Sequence, residues 1–165
     1  LFSARILRLE GRRLEALKQC ENALVISRET GVGFAGPQVF AELALNTYDR
    51  TARREALQEG EKILRQGAVG HNHFNFYAEA MDAYLETKEW EEVETYARAL
   101  EEFTRPEPLP WCDFFIARGR TLSAYGRGNR DGSTLEELRR LRDQAESVGL
   151  QRALPALDAA LTDAC

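Results

Sequence analysis

A glycine-rich segment is the most conspicuous chemical motif in the sequence, because glycines at its spacing can cradle a phosphate. It reads Gly31-Val-Gly33-Phe-Ala-Gly36, a G-x-G-x-x-G pattern that binds dinucleotides when it follows a β-strand and opens a helix. Here it follows a helical pattern, and Pro37-Gln38 stand where a phosphate-binding loop needs lysine and serine or threonine. We therefore interpret the segment as a loop between two helices rather than as a nucleotide site.

The two histidines, His71 and His73, could in principle bind a metal ion or transfer a proton. Side chains two residues apart at a helix start do not share a face, and no cysteine or third histidine lies near them in the sequence to complete a zinc site. We expect Asn72 or His73 to cap a helix instead. The sequence thus predicts no bound metal and no cofactor.

The remaining reactive residue types do not form a catalytic pattern. Several glutamates lie between residues 89 and 102, but acid-base chemistry needs carboxylates in a closed pocket with separated pKa values. A run of acids on an amphipathic helix is typical of a solvated face. Cys112 has no identifiable base that could activate it, and Cys20 occupies a packing position as a small buried hydrophobe. We expect the chain not to be an enzyme.

Composition limits the classes of protein to which the chain could belong. Its 165 residues are 44% hydrophobic and 30% charged, which is typical of a soluble helical domain. The net charge of -5 argues against nucleic acid as a partner, because phosphate binding needs a basic surface. No apolar run approaches the roughly 20 residues that span a bilayer, and no signal peptide is evident. We expect a cytoplasmic protein that does not bind membranes.

Hydrophobic periodicity predicts helices along the whole chain, and no useful strand-like alternation is present. The predicted helices cover about 1–9, 12–30, 37–48, 52–66, 73–86, 90–104, 111–125, 133–148 and 151–163. Gly31 is a helix stop, Pro37 suits a first turn, and Lys88 is a break between helices. Ser133 or Thr134 is the expected cap of the eighth helix. Pro155 is tolerated if it lies in the first turn of the ninth.

A recurring packing pattern indicates how these helices are arranged. In alternate helices small or apolar residues recur at i, i+4 and i+7, and these triplets are Ala16/Cys20/Ala23, Ala56/Gly60/Ile63, Val93/Ala97/Leu100 and Leu138/Arg142/Ala145. Recurrence at roughly forty residues is typical of stacked helical hairpins. The sequence predicts an all-α, antiparallel helix-hairpin array, an α-solenoid. It forms a single domain over residues 1–165, with a C-terminal capping helix.

Stacked hairpins curve and leave a concave groove lined by the first helix of each pair, which is where we expect a partner to bind. Helix register places five polar side chains on that surface: Gln38, Asn75, Asp82, Asp113 and Arg120. The same residues are also compatible with ordinary exposed polar positions, the commoner case.

The hairpin pattern resembles the tetratricopeptide repeat (TPR). Gly11 before Ala16 and Cys20 is similar to that repeat's turn glycine and small packing positions, as Tyr77 and Tyr84 are to its first helix. Equivalent positions lie 40 (16 to 56), 37 (56 to 93) and 45 (93 to 138) residues apart, longer than the usual repeat of about 34. We therefore describe the array as TPR-like.

A narrower resemblance covers roughly residues 70–165. It rests on His71-Asn-His-Phe74, Tyr77, Trp90-Glu-Glu-Val-Glu94, Thr104-Arg-Pro-Glu-Pro-Leu-Pro-Trp111, Asp113-Phe-Phe-Ile-Ala-Arg-Gly-Arg120, Leu138-Arg-Arg-Leu141 and Leu154-Pro-Ala-Leu157. These segments resemble the C-terminal region of bacterial class III adenylate/guanylate cyclases, in which a cyclase domain precedes an AAA-type NTPase module and a TPR-like array. The resemblance implies a non-catalytic regulatory or protein-interaction region, since the catalytic motifs of that family are missing here.

The residues do not identify the longer protein to which the chain belongs or the partner that it binds. The chain begins inside a helical pattern without a helix-start signal, so we expect a fragment of a longer multidomain protein. Its partner would be that protein's own NTPase or cyclase domains, or another protein. Two alternatives to a cyclase-associated region are left open. The chain could be the C-terminal effector-sensing array of an NTPase-type transcription regulator, or a stand-alone TPR scaffold.

Overall fold

A computed structural model describes residues 1–164, and over that range it consists of helices and connections without a β-strand. The helices are α1 (Phe2–Leu9), α2 (Arg13–Thr30), α3 (Val32–Asn46), α4 (Arg50–Arg65), α5 (Gly70–Glu86), α6 (Trp90–Thr104), α7 (Pro110–Gly126), α8 (Gly132–Ser147) and α9 (Leu154–Asp163). A 3-10 turn, Gln151–Ala153, precedes α9. The prediction of an all-α chain is confirmed for the described residues.

Several helix ends lie where local signals predicted them. Gly31 ends α2 with a φ of 118°, and Lys88 separates α5 from α6 with a φ of 59°. Both angles are in the left-handed region, which terminates a right-handed helix. Pro110 opens α7, where its missing N–H interrupts no helical hydrogen bond, and Pro155 lies in the first turn of α9.

The third helix starts earlier than predicted. α3 begins at Val32, so the expected loop over residues 31–36 is wrong and Pro37 lies inside the helix. A proline at this position leaves the carbonyl of Gly33 without its usual N–H donor. The Asn72 side chain supplies the donor, because its Nδ2 donates to the carbonyl oxygens of Gly33 at 3.2 Å and Phe34 at 2.9 Å. Asn72 itself lies within the first turn of α5 rather than before it.

The predicted cap of α8 is also wrong. Asp131 is the N-cap residue, and its Oδ1 accepts hydrogen bonds from the Thr134 backbone N–H at 2.7 Å and the Ser133 hydroxyl at 2.9 Å. Ser133 and Thr134 therefore lie inside the first turn. A carboxylate three residues before a backbone N–H is well placed to satisfy that otherwise unpaired donor.

By its internal contacts the chain divides into two compact units, Leu1–Ala83 and Tyr84–Cys165. In the first unit α1 packs against α2, α2 against α3, and α3 against α4. Ala4, Ala16 and Cys20 form a buried cluster at the start of this stack. Further along, Gly60 of α4 faces the ring of Phe76 on α5, and a Cβ at position 60 would lie only 3.0 Å from the Phe76 Cζ.

In the second unit α6 packs against α7, α7 against α8, and α9 against both α7 and α8. Val93, Ala97 and Leu100, the predicted packing triplet of α6, are all buried. The Nε of buried Arg118 donates to the carbonyl of Ala153 at 3.2 Å and so attaches the segment before α9 to α7. In both units neighbouring helices pack as in a helical array. A single domain over the whole chain stays a prediction.

Candidate functional site

The five predicted groove residues lie on three helices. Gln38 on α3 and Asn75 and Asp82 on α5 belong to the first unit, where all three are half-buried. Asp113 and Arg120 lie on α7 in the second unit. Asn75 and Asp82 are seven residues apart, as are Asp113 and Arg120, so each pair shares one face of its helix. Binding of a partner by these residues stays a prediction.

The side chains of Asn75 and Arg120 bind groups on neighbouring turns or helices. The Nδ2 of Asn75 donates to the carbonyl of His71 at 3.0 Å, one turn earlier in α5. Arg120 forms ion pairs with Glu94 and Glu101 of α6, with N–O distances of 3.1 and 2.8 Å. Its hydrogen bond to Glu101 lowers the pKa of that carboxyl, and those to Glu101 and Glu94 raise the pKa of Arg120. Arg120 therefore links α6 to α7.

A buried ionic cluster in the first unit was not predicted from the sequence. It joins Arg5 and Arg8 of α1 to Glu42 and Asn46 of α3 and to Glu79 of α5. The Glu42 carboxylate accepts from the Nε of Arg5 at 3.3 Å, the Nε of Arg8 at 3.1 Å and the Nδ2 of Asn46 at 3.3 Å. Arg5 also donates through Nη2 to Glu79. A single guanidinium thus bridges three helices.

The charges of the ionic cluster balance, since two guanidinium groups face two carboxylates. Both carboxylate side chains are almost fully buried, whereas Arg5 and Arg8 keep 26% and 17% of their side-chain surface exposed. Carboxylates held in this way are occupied as acceptors, so the cluster joins helices and presents no free acid or base. One signal was available in the sequence: Glu42 and Glu79 each interrupt an otherwise apolar stretch, in Ala41-Glu42-Leu43 and Ala78-Glu79-Ala80.

The two described cysteines are buried and protonated at neutral pH. Burial, followed by the negative charge of Glu42, raises the pKa of the Cys20 thiol to about 12. Burial also raises the pKa of Cys112 to about 11. Because the thiolate is the nucleophilic form, neither side chain is activated. The prediction of Cys20 as a small buried packing residue is confirmed.

The histidines do not converge on a common site. His71 is exposed and its ring lies 6.0 Å from that of Phe34, whereas His73 is half-buried with its ring 6.0 Å from that of Tyr77. Burial lowers the pKa of His73. Among residues 1–164, no group of three or more histidine, cysteine, aspartate or glutamate side chains is placed to hold a metal ion.

Exposed apolar side chains are concentrated in the first unit. Eleven large hydrophobic residues are exposed along the described chain: Phe2, Ile6, Leu9, Leu14, Val25, Ile26, Phe34, Tyr48, Val69, Phe103 and Val148. Nine of the eleven precede residue 84, and seven lie in α1, α2 and the first turn of α3. Isolated exposed hydrophobic residues are common, whereas a large contiguous patch of them is typical of an interaction surface.

A cleft of about 260 Å³ lies in the same part of the first unit, between α2 and the start of α3. Ile26, Thr30 and Phe34 contribute to its wall, together with Leu1 and the buried Ser27. No charged side chain of the described residues lines it.

The chain matches no family model, no curated protein and no solved structure. None of the described helices has the length and apolar character needed to cross a membrane.

Proposed function

We propose that this chain is a TPR-like helical-hairpin array that serves as a non-catalytic, cytoplasmic interaction region of a multidomain cyclase-like signalling protein. Its partner is another domain of that protein, such as the NTPase or cyclase domain, or a separate protein. Successive packing of neighbouring helices supports the array, and the resemblance of residues 70–165 to bacterial cyclase C-terminal regions supports the parent.

The observation that carries this proposal is the unequal distribution of exposed apolar residues. Of the eleven exposed large hydrophobic residues, only Phe103 and Val148 belong to the second unit. The surface of that unit carries ion pairs between α6 and α7. The first unit instead presents a concentration of aromatic and aliphatic side chains around α1 and α2. Such a surface is suited to binding protein, whereas the carboxylates of the ionic cluster are already paired.

A direct assay tests the non-catalytic part of the proposal. The purified 165-residue chain is incubated with ATP or GTP and with Mg²⁺ or Mn²⁺, and cyclic nucleotide and released phosphate are measured. We expect neither product above the level of a buffer control. Cyclisation or hydrolysis that copurifies with the chain would refute the proposal.

The cleft between α2 and α3 favours one alternative, an effector-sensing array of an NTPase-type transcription regulator. Its volume of about 260 Å³ leaves room for a small molecule against uncharged side chains. The coding sequence upstream of Leu1 distinguishes the cyclase-associated region from the transcription regulator. A cyclase domain there supports our proposal, and a basic helix-turn-helix elsewhere in the gene product supports the regulator.

A further inference from the structure

The cleft between α2 and α3 contains a buried hydroxyl group that forms no hydrogen bond. Eight of the nine residues that line the cleft lie between residues 23 and 39, on α2, on α3 and at Gly31 between them. Ile26 and Phe34 contribute hydrocarbon to its walls. Ser27 lies among them with 6% of its surface exposed, and its Oγ has no hydrogen-bond partner among the described residues.

Neighbouring polar groups of the cleft are paired with one another. The backbone N–H of Gly31 donates to the carbonyl of Ser27 at 3.0 Å, and the N–H of Phe34 donates to the carbonyl of Gly31 at 3.1 Å. The Thr30 hydroxyl donates to the carbonyl of Ile26 at 2.9 Å. The Ser27 hydroxyl differs from these groups in being unpaired.

The Ser27 hydroxyl is directed away from its own helix. Serine and threonine hydroxyls within helices can donate to the carbonyl four residues earlier. Five described threonines do so: Thr30, Thr95, Thr104, Thr121 and Thr162. The Oγ of Ser27 instead lies 3.5 Å from the position that a Cβ of Gly36 would occupy, so it faces α3 across the cleft. A buried polar atom without a partner is uncommon in native proteins and calls for an explanation.

We propose that this cleft binds a small molecule that has a hydrocarbon body and a carbonyl oxygen, and that the carbonyl accepts a hydrogen bond from Ser27. Ligand sites typically combine apolar walls with a few polar groups that fix the orientation of the ligand. Here the walls would cover the hydrocarbon, and the one proton of the hydroxyl would meet the carbonyl oxygen. This inference goes beyond the proposed function and does not depend on it.

A pair of matched probes tests the inference. Acetophenone joins a phenyl ring to a carbonyl oxygen, and ethylbenzene has the same carbon skeleton without the oxygen. Each is titrated into the isotope-labelled 165-residue chain, and amide chemical shifts in NMR spectra report the site and the dissociation constant. We expect shifts at residues 23–39 and about fivefold tighter binding of acetophenone, the contribution of one net hydrogen bond.

Variants assign the preference to Ser27. Ser27→Ala is expected to abolish the fivefold preference for acetophenone. Ser123→Ala is the matched control, because Ser123 on α7 is also 6% exposed and its Oγ also lacks a hydrogen-bond partner among the described residues. It should keep the preference. Ala35→Leu adds bulk to the cleft wall and should weaken both probes at least about tenfold.

Circular dichroism establishes that each variant is folded, and Ala23→Leu replaces Ala35→Leu if the latter is not. The inference is wrong if neither probe shifts the amides of residues 23–39 up to its solubility limit. It is also wrong if ethylbenzene binds as tightly as acetophenone, if Ser27→Ala keeps the preference, or if the filled cleft binds both probes unchanged. None of these results bears on the nucleotide assay, so the inference and the proposed function can fail separately.

Discussion

At the scale of single residues, the ionic cluster shows how strongly burial changes the cost of breaking an ion pair. Glu42 is fully buried and accepts from two arginines and an asparagine. Arg12 and Glu15 also form an ion pair, but both side chains are more than half exposed. Water screens an exposed pair, whereas a buried charge that loses its partner stays desolvated and uncompensated.

We expect Glu42→Gln to lower the free energy of unfolding by about 3 kcal/mol, because Arg5 and Arg8 lose their shared carboxylate. Urea unfolding followed by circular dichroism measures the change. Glu15→Gln is the matched control and should leave the midpoint unchanged. Equal effects of the two substitutions would show that the cluster is solvated in solution.

Gly60 is required by the ring that faces it. In an exposed helix, alanine in place of glycine adds about 1 kcal/mol of stability. At position 60 the new Cβ would overlap the fully buried Phe76, so we expect Gly60→Ala to cost about 1 to 3 kcal/mol instead. Gly33→Ala on α3 is the control, since nothing lies within 4 Å of a Cβ there. Thermal melting that shows both variants stabilised would contradict the close approach of α4 and α5.

At the scale of helices, long-range hydrogen bonds decide where an element can begin. Because Pro37 lacks an N–H, the first turns of α3 depend on the Asn72 side chain of α5. The two residues form a compensating pair 35 positions apart in the sequence (72 minus 37). The start of α3 is therefore stabilised from another helix.

A double-mutant cycle tests this dependence. Asn72→Ala should cost about 1 to 3 kcal/mol, because the part-buried carbonyl of Gly33 loses its donor. In a Pro37→Ala background the backbone N–H of residue 37 can serve Gly33, so the same change should cost about 1 kcal/mol less. Asn75→Ala, which removes a hydrogen bond within α5, should show no such coupling. Strict additivity of Asn72→Ala and Pro37→Ala in urea unfolding would refute the compensation.

The Asp131 cap of α8 predicts that the stability of the chain depends on pH. Hydrogen bonds from Thr134 and Ser133 lower the pKa of Asp131 to about 2, below the value of about 3.9 in unfolded chains. A depressed pKa contributes stability that is fully present above about pH 4 and is lost as the pH falls through about 2. We expect the melting temperatures of the unmodified chain and Asp131→Asn to differ more at pH 6 than at pH 2. A difference that is constant with pH would show that the charged form is not favoured.

At the scale of the whole molecule, the two compact units each contain one described buried cysteine, Cys20 in the first and Cys112 in the second. Burial raises the pKa of both thiols, so each reacts slowly until its surroundings open. The two thiols can therefore report on the two units separately. Replacing Cys165 by serine leaves them as the sole thiols of the chain.

In that Cys165→Ser background, Glu42→Gln should allow Cys20 to react with a thiol reagent at lower urea concentration. The reactivity of Cys112 should keep its urea dependence, because the altered pair belongs to the first unit. Mass spectrometry of the labelled peptides distinguishes the two sites. A parallel shift of both cysteines would show that residues 1–164 unfold as one cooperative domain, as the sequence predicts.

Features governed by neighbouring residues were predictable from the sequence alone. The all-α character, the helix ends at Gly31 and Lys88, and the buried packing position of Cys20 depend on periodicity and local backbone preference. Local signals did not identify the N-cap of α8, where several neighbouring residues are able to cap the helix. Ser133 or Thr134 was expected to cap α8, but the carboxylate of Asp131 accepts from the backbone N–H of Thr134 and caps the helix at an earlier residue.

Other features of the fold were decided by tertiary structure, because they depend on contacts between side chains that are distant in the sequence. Pro37 lies inside α3 where the Asn72 side chain of α5 donates to the carbonyl of Gly33, and Glu42 is buried where α1 brings Arg5 and Arg8 to it. For the same reason the sequence could show that α1 is apolar but not which of its sides is covered. Periodicity specifies the faces of a helix, and only packing determines which face meets another helix and which stays exposed.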